Sequence, residues 1–207
     1  MLLALDTSAG SSAAIVDPGG AVRAERTLRD SRRHAEAIGD LLRDVLADAG
    51  IRPAHVTGVA VGVGPGPFTG LRVGIAAGRV FALGAGARLL PVVSHDALAL
   101  EWHERHDGPL TLTTDARRKE RYRSEYTGLD PDGLPVRSSG PALVPVVELP
   151  EEEQRWDAEW VSAAFIGRWA ALALAAGRQL PAADALYLRS PDVTMSAANA
   201  GARPVGR

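Results

Sequence analysis

The sequence predicts an α/β protein, and three features point there. Short apolar runs bounded by turn residues recur at 2–5, 59–61 and 88–93. Two longer stretches, 35–49 and 70–84, instead repeat their large apolar residues at helical spacing. The run VGVGPGPFTGLRVGIAAGRVFAL at 61–83 joins the two kinds: a strand, a Gly-rich loop, then a helix. Many α/β proteins use that succession to turn backbone N–H groups toward an anion.

Taken in order, 2–5 reads as a buried strand closed by Asp6, Thr7 and Ser8, with a turn over Ala9, Gly10, Ser11 and Ser12. A second strand at 13–16, the turn Asp17-Pro18-Gly19-Gly20 and a third strand at 21–27 complete an antiparallel meander. The helix at 35–49 carries Ile38, Leu41, Leu42, Val45 and Leu46 on one face and Asp40, Arg43, Asp44 and Asp48 on the other. Gly50 is placed to stop it, and His34 just before it reads as a cap or surface residue. In the helix at 70–84, Leu71, Val73, Ile75, Val80, Phe81 and Leu83 spread round much of the circumference, which predicts extensive burial. Gly74, Gly78 and Ala82 fall four apart as a ridge of small residues. A mid-helix glycine costs about 1 kcal/mol relative to alanine, so the ridge calls for a packing reason. A close crossing with another helix, in this chain or in a second subunit, supplies one. Arg72 and Arg79 share the polar stripe.

After the 88–93 strand come Ser94, His95 and Asp96 and a short helix through Leu98, Leu100 and Trp102. His106-Asp107-Gly108-Pro109 is a turn and marks a boundary between lobes at 1–105 and 106–193. The second lobe opens with a strand at 110–114, a turn at 115–117 and a strand at 118–127. That last strand sets Tyr122 and Tyr126 on one face and Arg117, Lys119, Arg121 and Arg123 on the other, a face suited to solvent or to RNA. The stretch 129–150 holds five prolines and reads as loop. A helix at 161–176 turns Phe165, Ile166, Trp169, Leu172 and Ala176 inward, with Gly177 as its stop. A last short strand is expected at 186–188 and a disordered tail at 194–207.

A net charge of -2 offers no electrostatic argument for nucleic acid or membrane. With no cysteine there is no disulfide, thiolate metal site or Cys nucleophile. The N-terminal MLLALDTS lacks a basic region and a long apolar core, and no apolar segment escapes Arg, Gly or Pro long enough to span a bilayer. A cytoplasmic protein without membrane contact is expected. The loop of Gly62, Gly64, Pro65, Gly66 and Pro67 is not a P-loop, because no Lys-Ser/Thr follows it, and Pro67 breaks a GxGxxG match. Asp6, Thr7, Ser8, Gly64, Gly66, Thr69 and Gly70 remain the candidates to face a phosphate. No GxSxG, HExxH or helical His pair is present, the nearest metal pair being His103 and His106. No catalytic constellation, cofactor or metal site is therefore expected.

LALDTS at 3–8 with the meander behind it resembles the opening of the actin/Hsp70/sugar-kinase superfamily. GVGPGPFTGLRVG at 62–74 is more specific and resembles the GPGSFTGLRIG signature of the TsaB (YeaZ) family. DARRKERY at 115–122 and LYLR at 186–189 resemble that family's DARRxEVY and YLR stretches, in the expected order. The wider family carries a glycoprotease-like, M22 peptidase-like label, for which the residues show no protease chemistry. The resemblance implies an actin-like (ribonuclease H-like) fold of two lobes, each a mixed sheet flanked by helices. It also implies a non-catalytic subunit of the machinery that makes threonylcarbamoyladenosine in tRNA, working beside the catalytic paralogue TsaD. TsaD carries a metal-binding HxxxH after the strand matching 88–93, where this chain has His95 but Ala99.

The implied partners are a TsaD-like subunit, a TsaE-like ATPase and, for the chain alone, a second copy through the same helices. tRNA is expected only through the complex. Docking is expected through Ile38, Leu41, Leu42, Val45 and Leu46, the ridge of Gly74, Gly78 and Ala82, and Leu71, Arg72 and Ile75. Pro67 departs from the family's usual Ser and weakens a phosphate-binding role. The alternatives are an ATP-dependent phosphotransferase or ATPase using Asp6 and the 62–70 loop, and an M22-type metallopeptidase.

Overall fold

The structure, a computed structural model, describes residues 1–28, 34–149 and 154–189, with only the backbone of 34–36. The expected tail at 194–207 and the side chain of His34 lie outside the described residues. Strands β1 (Leu2–Asp6), β2 (Ser11–Val16) and β3 (Val22–Leu28) form the expected meander. β4 (Gly58–Gly62) and β5 (Arg88–Val92) add in parallel on the other side of β1, giving the order β3-β2-β1-β4-β5. Both faces of β1 are covered, which is why it reads as an unbroken apolar run rather than an alternating one.

One face packs Leu3, Leu5, Ile15, Val59 and Val61 against α1 (His34–Asp48) and α2 (Phe68–Ala85). The other packs Leu2, Ala4, Val16 and Leu90 against α3 (Ser94–His103) and α4 (Ala163–Ala175). The second sheet, β6 (Leu110–Asp115), β7 (Glu120–Leu129), β8 (Pro135–Pro145) and β9 (Arg155–Ala158), has the order β8-β7-β6-β9, with β9 parallel to β6. Leu110, Leu112 and Tyr126 continue the same core as α3 and α4. Two mixed sheets flanked by helices are thus the expected actin-like architecture.

α4 reaches back across the chain. A Cβ on Gly167 would stand 2.6 Å from Val16 Cγ2 and 3.2 Å from Ala4 Cβ, so glycine lets the helix lie on β1 and β2. Its N-terminus is capped from the far meander: Ser162 Oγ donates to Glu25 Oε1 at 2.7 Å, and the Ala164 N–H donates to the same oxygen at 3.1 Å. A carboxylate there also suits the positive end of the helix dipole.

Several expectations need correction. Within the proline-rich stretch expected as loop, 135–145 is strand, because β8 lies at a sheet edge, where a missing N–H costs no ladder bond. β9 was not expected. Residues 186–188 form no strand; the Leu186 N–H donates to Val63 O at 2.8 Å, without a continuing ladder. β7 begins at Glu120 because Arg117, Arg118 and Lys119 form a left-handed turn, with φ of 62°, 53° and 60°. Among the described residues one helix, α2, does have the length and mean hydropathy (18 residues, 1.2) of a membrane span, but its small-residue face is seated on the first sheet.

Candidate functional site

Asp6 ends β1 beside the Gly-rich loop and is 1% exposed. Its Oδ1 accepts from the Ser8 N–H at 2.7 Å and from Ser8 Oγ at 2.6 Å, and its Oδ2 accepts from Ser94 Oγ at 2.6 Å. The Gly64 N–H in turn donates to Ser94 Oγ at 3.1 Å. Burial pushes the Asp6 carboxyl above its ordinary range, and the donors from Ser8, Ser94 and Ala9 oppose that shift. Thr7 Oγ1 donates to Gly70 O at 2.7 Å, tying β1 to the first turn of α2. A Cβ on Gly66 would come within 2.8 Å of Ser8 Cα, and one on Gly62 would run into the Asp6 carboxylate.

Six of the seven expected phosphate-facing residues are therefore brought together: Asp6, Thr7, Ser8, Gly64, Gly66 and Gly70. Thr69 alone is exposed. The polar groups of Asp6, Ser8 and Gly64 are engaged with one another and with Ser94, not displayed outward. Gly62 and Gly66 serve close packing of loop against strand.

The N-terminus of α3 holds a second buried polar group. His95, 1% exposed, has Nδ1 2.8 Å from Ser124 Oγ and Nε2 2.9 Å from Thr114 Oγ1, so both ring nitrogens are engaged by hydroxyls of the second sheet. Burial, with a smaller push from the Arg137 guanidinium, lowers its pKa to about 3. Beside it Asp96 accepts from Tyr126 Oη at 2.7 Å and pairs with Arg137 at 3.2 Å, while burial pushes its carboxyl up. His103 and His106 diverge to backbone carbonyls, His103 to Ala99 O and Gly108 O and His106 to Trp102 O. Among the described residues no group of three or more His, Asp or Glu is placed to hold a metal ion.

The expected docking residues fall mostly inside the molecule. Leu41, Val45, Leu46, Leu71 and Ile75 are buried, and Ile38 and Leu42 are partly buried against the same core. The Gly74 ridge faces β1 and β4: a Cβ on Gly74 would strike Thr7, and one on Gly78 would strike Val61. Ala82 is 5% exposed. The expectation of a helix crossing at this ridge is thereby corrected, because the small residues let α2 approach its own sheet. Arg72 is the one member of the set that is exposed. Sequence reasoning missed the opposite face of α2, where Val80 is 71% exposed and Leu83 86%. Val73, Ala76, Val80 and Leu83 repeat at alternating three- and four-residue spacing, the pattern of a helix seam. That spacing was a signal available in the sequence.

The family described as TsaD, tRNA N6-adenosine threonylcarbamoyltransferase, matches residues 21–133, more than half of the chain. The chain belongs to this family. Among solved structures, YeaZ from Pseudomonas aeruginosa superposes with a TM-score of 0.78 at 26% identity, covering 90% of this chain and 99% of that one. A second Pseudomonas aeruginosa structure, described as similar to peptidase YEAZ, matches with a TM-score of 0.78 at 25% identity over 91% of this chain and 99% of its own. No curated protein matches the chain. Within the TsaD family the chain is thus of the YeaZ, or TsaB, type. At the position of the TsaD-type HxxxH it has a His95 held by two hydroxyls and a fully buried Ala99.

Proposed function

We propose that this TsaB-type chain is a non-catalytic, cytoplasmic scaffold that docks a TsaD-type catalytic subunit and so supports threonylcarbamoyl transfer to adenosine in tRNA. The outer face of α2 carries the reading. A leucine at 86% exposure and a valine at 71%, on an 18-residue helix whose other face is embedded, form an apolar seam that none of the described residues covers. Arg72 and Arg79 border the seam and would give it polar specificity. The closure of Asp6 by Ser8 and Ser94, and of His95 by Ser124 and Thr114, supports a docking role over chemistry at either group. A second copy of this chain could use the same seam when the partner is absent, and a TsaE-like ATPase would join the assembled pair.

Co-expression with the TsaD-type subunit tests the proposal. Leu83→Asp places a charge on the seam without touching the core, so it should abolish co-purification and tRNA modification while leaving the melting temperature of the chain alone unchanged. Retention of the complex at wild-type yield would refute docking through this face.

A further inference from the structure

The side-chain charges along α2 are all of one sign. Its 18 residues include Arg72 and Arg79 and no Asp, Glu or Lys. Arg72, Ala76, Val80 and Leu83 follow at i, i+4, i+8 and i+11, so Arg72 stands in line with the apolar seam near the start of the helix. Its guanidinium lies 5.0 Å from the centroid of the Phe68 ring, on which the Tyr187 ring packs at 4.8 Å, tilted by 35°. A cation held against a ring is positioned without being neutralised. Among the described residues no carboxylate pairs with Arg72, which is exposed. Arg79, one turn before Leu83, is already engaged: it donates to Ala183 O at 2.7 Å and lies 3.7 Å from Asp184.

The described carboxylates near the seam are occupied too. On α1, which shares its core with α2, Asp40 pairs with Arg43, Asp44 with Arg43 and Arg26, and Asp48 with Arg26. Asp184 is taken by Arg79. A second copy laid seam to seam would bring α2 against α2, a helix with arginines and no carboxylate, whichever way the two helices run. The carboxylates it offers from α1 and from Asp184 are those already paired. Like charges set against each other in an interface are costly. A different chain, whose helix borders its apolar stripe with Asp or Glu, covers the seam and pairs with Arg72 at once.

We infer that the charge on α2 makes the seam selective for a partner helix with an acidic flank over a second copy of this chain, and that Arg72 is the residue that discriminates. The inference rests on the docking reading of α2 and adds to it the chemistry of the partner: an amphipathic helix with a carboxylate beside its apolar stripe. Selectivity of this kind comes as much from the repulsion met by the wrong partner as from attraction to the right one. Phe68 and Tyr187 act as positioning residues, since they hold the guanidinium at the edge of the seam.

The test compares two equilibria of the full chain: binding of the TsaD-type subunit, by calorimetry, and self-association, by sedimentation equilibrium. Between about 0.1 M and about 1 M NaCl the screening length falls from about 10 Å to about 3 Å. Partner binding should weaken over that range while self-association strengthens. Arg72→Glu should weaken partner binding at least about 10-fold and strengthen self-association, whereas simple damage to the helix would weaken both. Arg72→Gln should flatten both salt dependences. Arg23→Gln, on the edge strand β3, should alter neither equilibrium. If Leu83→Asp abolishes the complex but Arg72→Glu leaves partner affinity unchanged, or if salt moves both equilibria the same way, the inference falls and docking through the seam stands. Self-association that appears neither in high salt nor in Arg72→Glu would overturn it as well, because repulsion would then not separate the two partners. A complex that survives Leu83→Asp would remove the docking reading and this inference with it.

Discussion

Gly78 and Gly84 sit on the same helix and allow one substitution to be read against itself. A Cβ at Gly78 would overlap Val61 Cγ2 on β4 and lie 3.6 Å from Leu5 Cδ1 and Val59 Cγ1. Val61 is β-branched and stiff at χ1, so it cannot swing aside cheaply. Overpacking of this kind costs about 1–3 kcal/mol, against a helix-propensity gain of at most about 1 kcal/mol. Gly78→Ala should therefore leave the protein between neutral and about 2 kcal/mol less stable. At Gly84 the added Cβ meets nothing within 4 Å, so Gly84→Ala should stabilise by about 0.5–1 kcal/mol. For a chain of this size each kcal/mol moves the melting temperature by about 2–4 °C. Thermal melts followed by far-UV circular dichroism should place Gly78→Ala several degrees below Gly84→Ala. If Gly78→Ala melts at or above Gly84→Ala, α2 is not seated on the sheet through its glycines. A larger residue such as leucine at Gly78 would then become a probe of docking; on the present geometry it is a probe of folding.

The His95 pKa of about 3 in the fold, against about 6.5 in the unfolded chain, means that the unfolded chain binds the extra proton between those values. Its contribution is fully present above about pH 6.5 and is lost as pH falls toward about 3, at about 1.4 kcal/mol per pH unit. Asp6 and Asp96, whose carboxyls are raised, act in the opposite sense as pH rises above their unfolded values. Urea titrations of the unaltered chain and His95→Gln should isolate the histidine: the unaltered chain loses about 2 kcal/mol more between pH 6.5 and 5. Parallel pH profiles would contradict a neutral His95. Glu25→Ala removes the cap on α4 and should cost about 0.5–2 kcal/mol in the same assay, with Glu25→Gln recovering part of it; an unchanged midpoint would show the cap to be idle.

Much of this fold was legible because local pattern and tertiary environment agree. The meander follows from Asp17-Pro18-Gly19-Gly20, and α1 follows from Ile38, Leu41, Leu42, Val45 and Leu46, whose face does point into the core. The ridge of Gly74, Gly78 and Ala82 was legible as a close approach but not as an approach to a particular surface, since a missing Cβ admits a strand as readily as a helix. Once the ridge was assigned outward, Val80 and Leu83 were assigned inward, whereas the fold buries the ridge and exposes Val80 and Leu83. β8 was hidden by Pro135, Pro141 and Pro145, which argue against a strand only where both edges are paired. The closed state of Asp6 depends on Ser94, far along the chain, and that of His95 on Thr114 and Ser124. No spacing rule brings such residues together. Tyr187 looked like part of a strand because its neighbours are apolar, whereas its ring lies on Phe68.

The placement of α4 on β1 and β2 has a consequence for how the chain is made. The strands of the first sheet are all synthesised by Val92, but the helix covering Ala4 and Val16 is complete only at Ala175. Ribosomes add about 5–20 residues per second, so for several seconds the nascent sheet has one apolar face without its final cover. A stop codon anywhere in that interval would release an N-terminal fragment with a bare hydrophobic surface, prone to aggregate. Quality control of this protein should therefore discriminate sharply between chains cut before α4 and chains cut after it, a sharper division than the boundary between the two sheets would suggest.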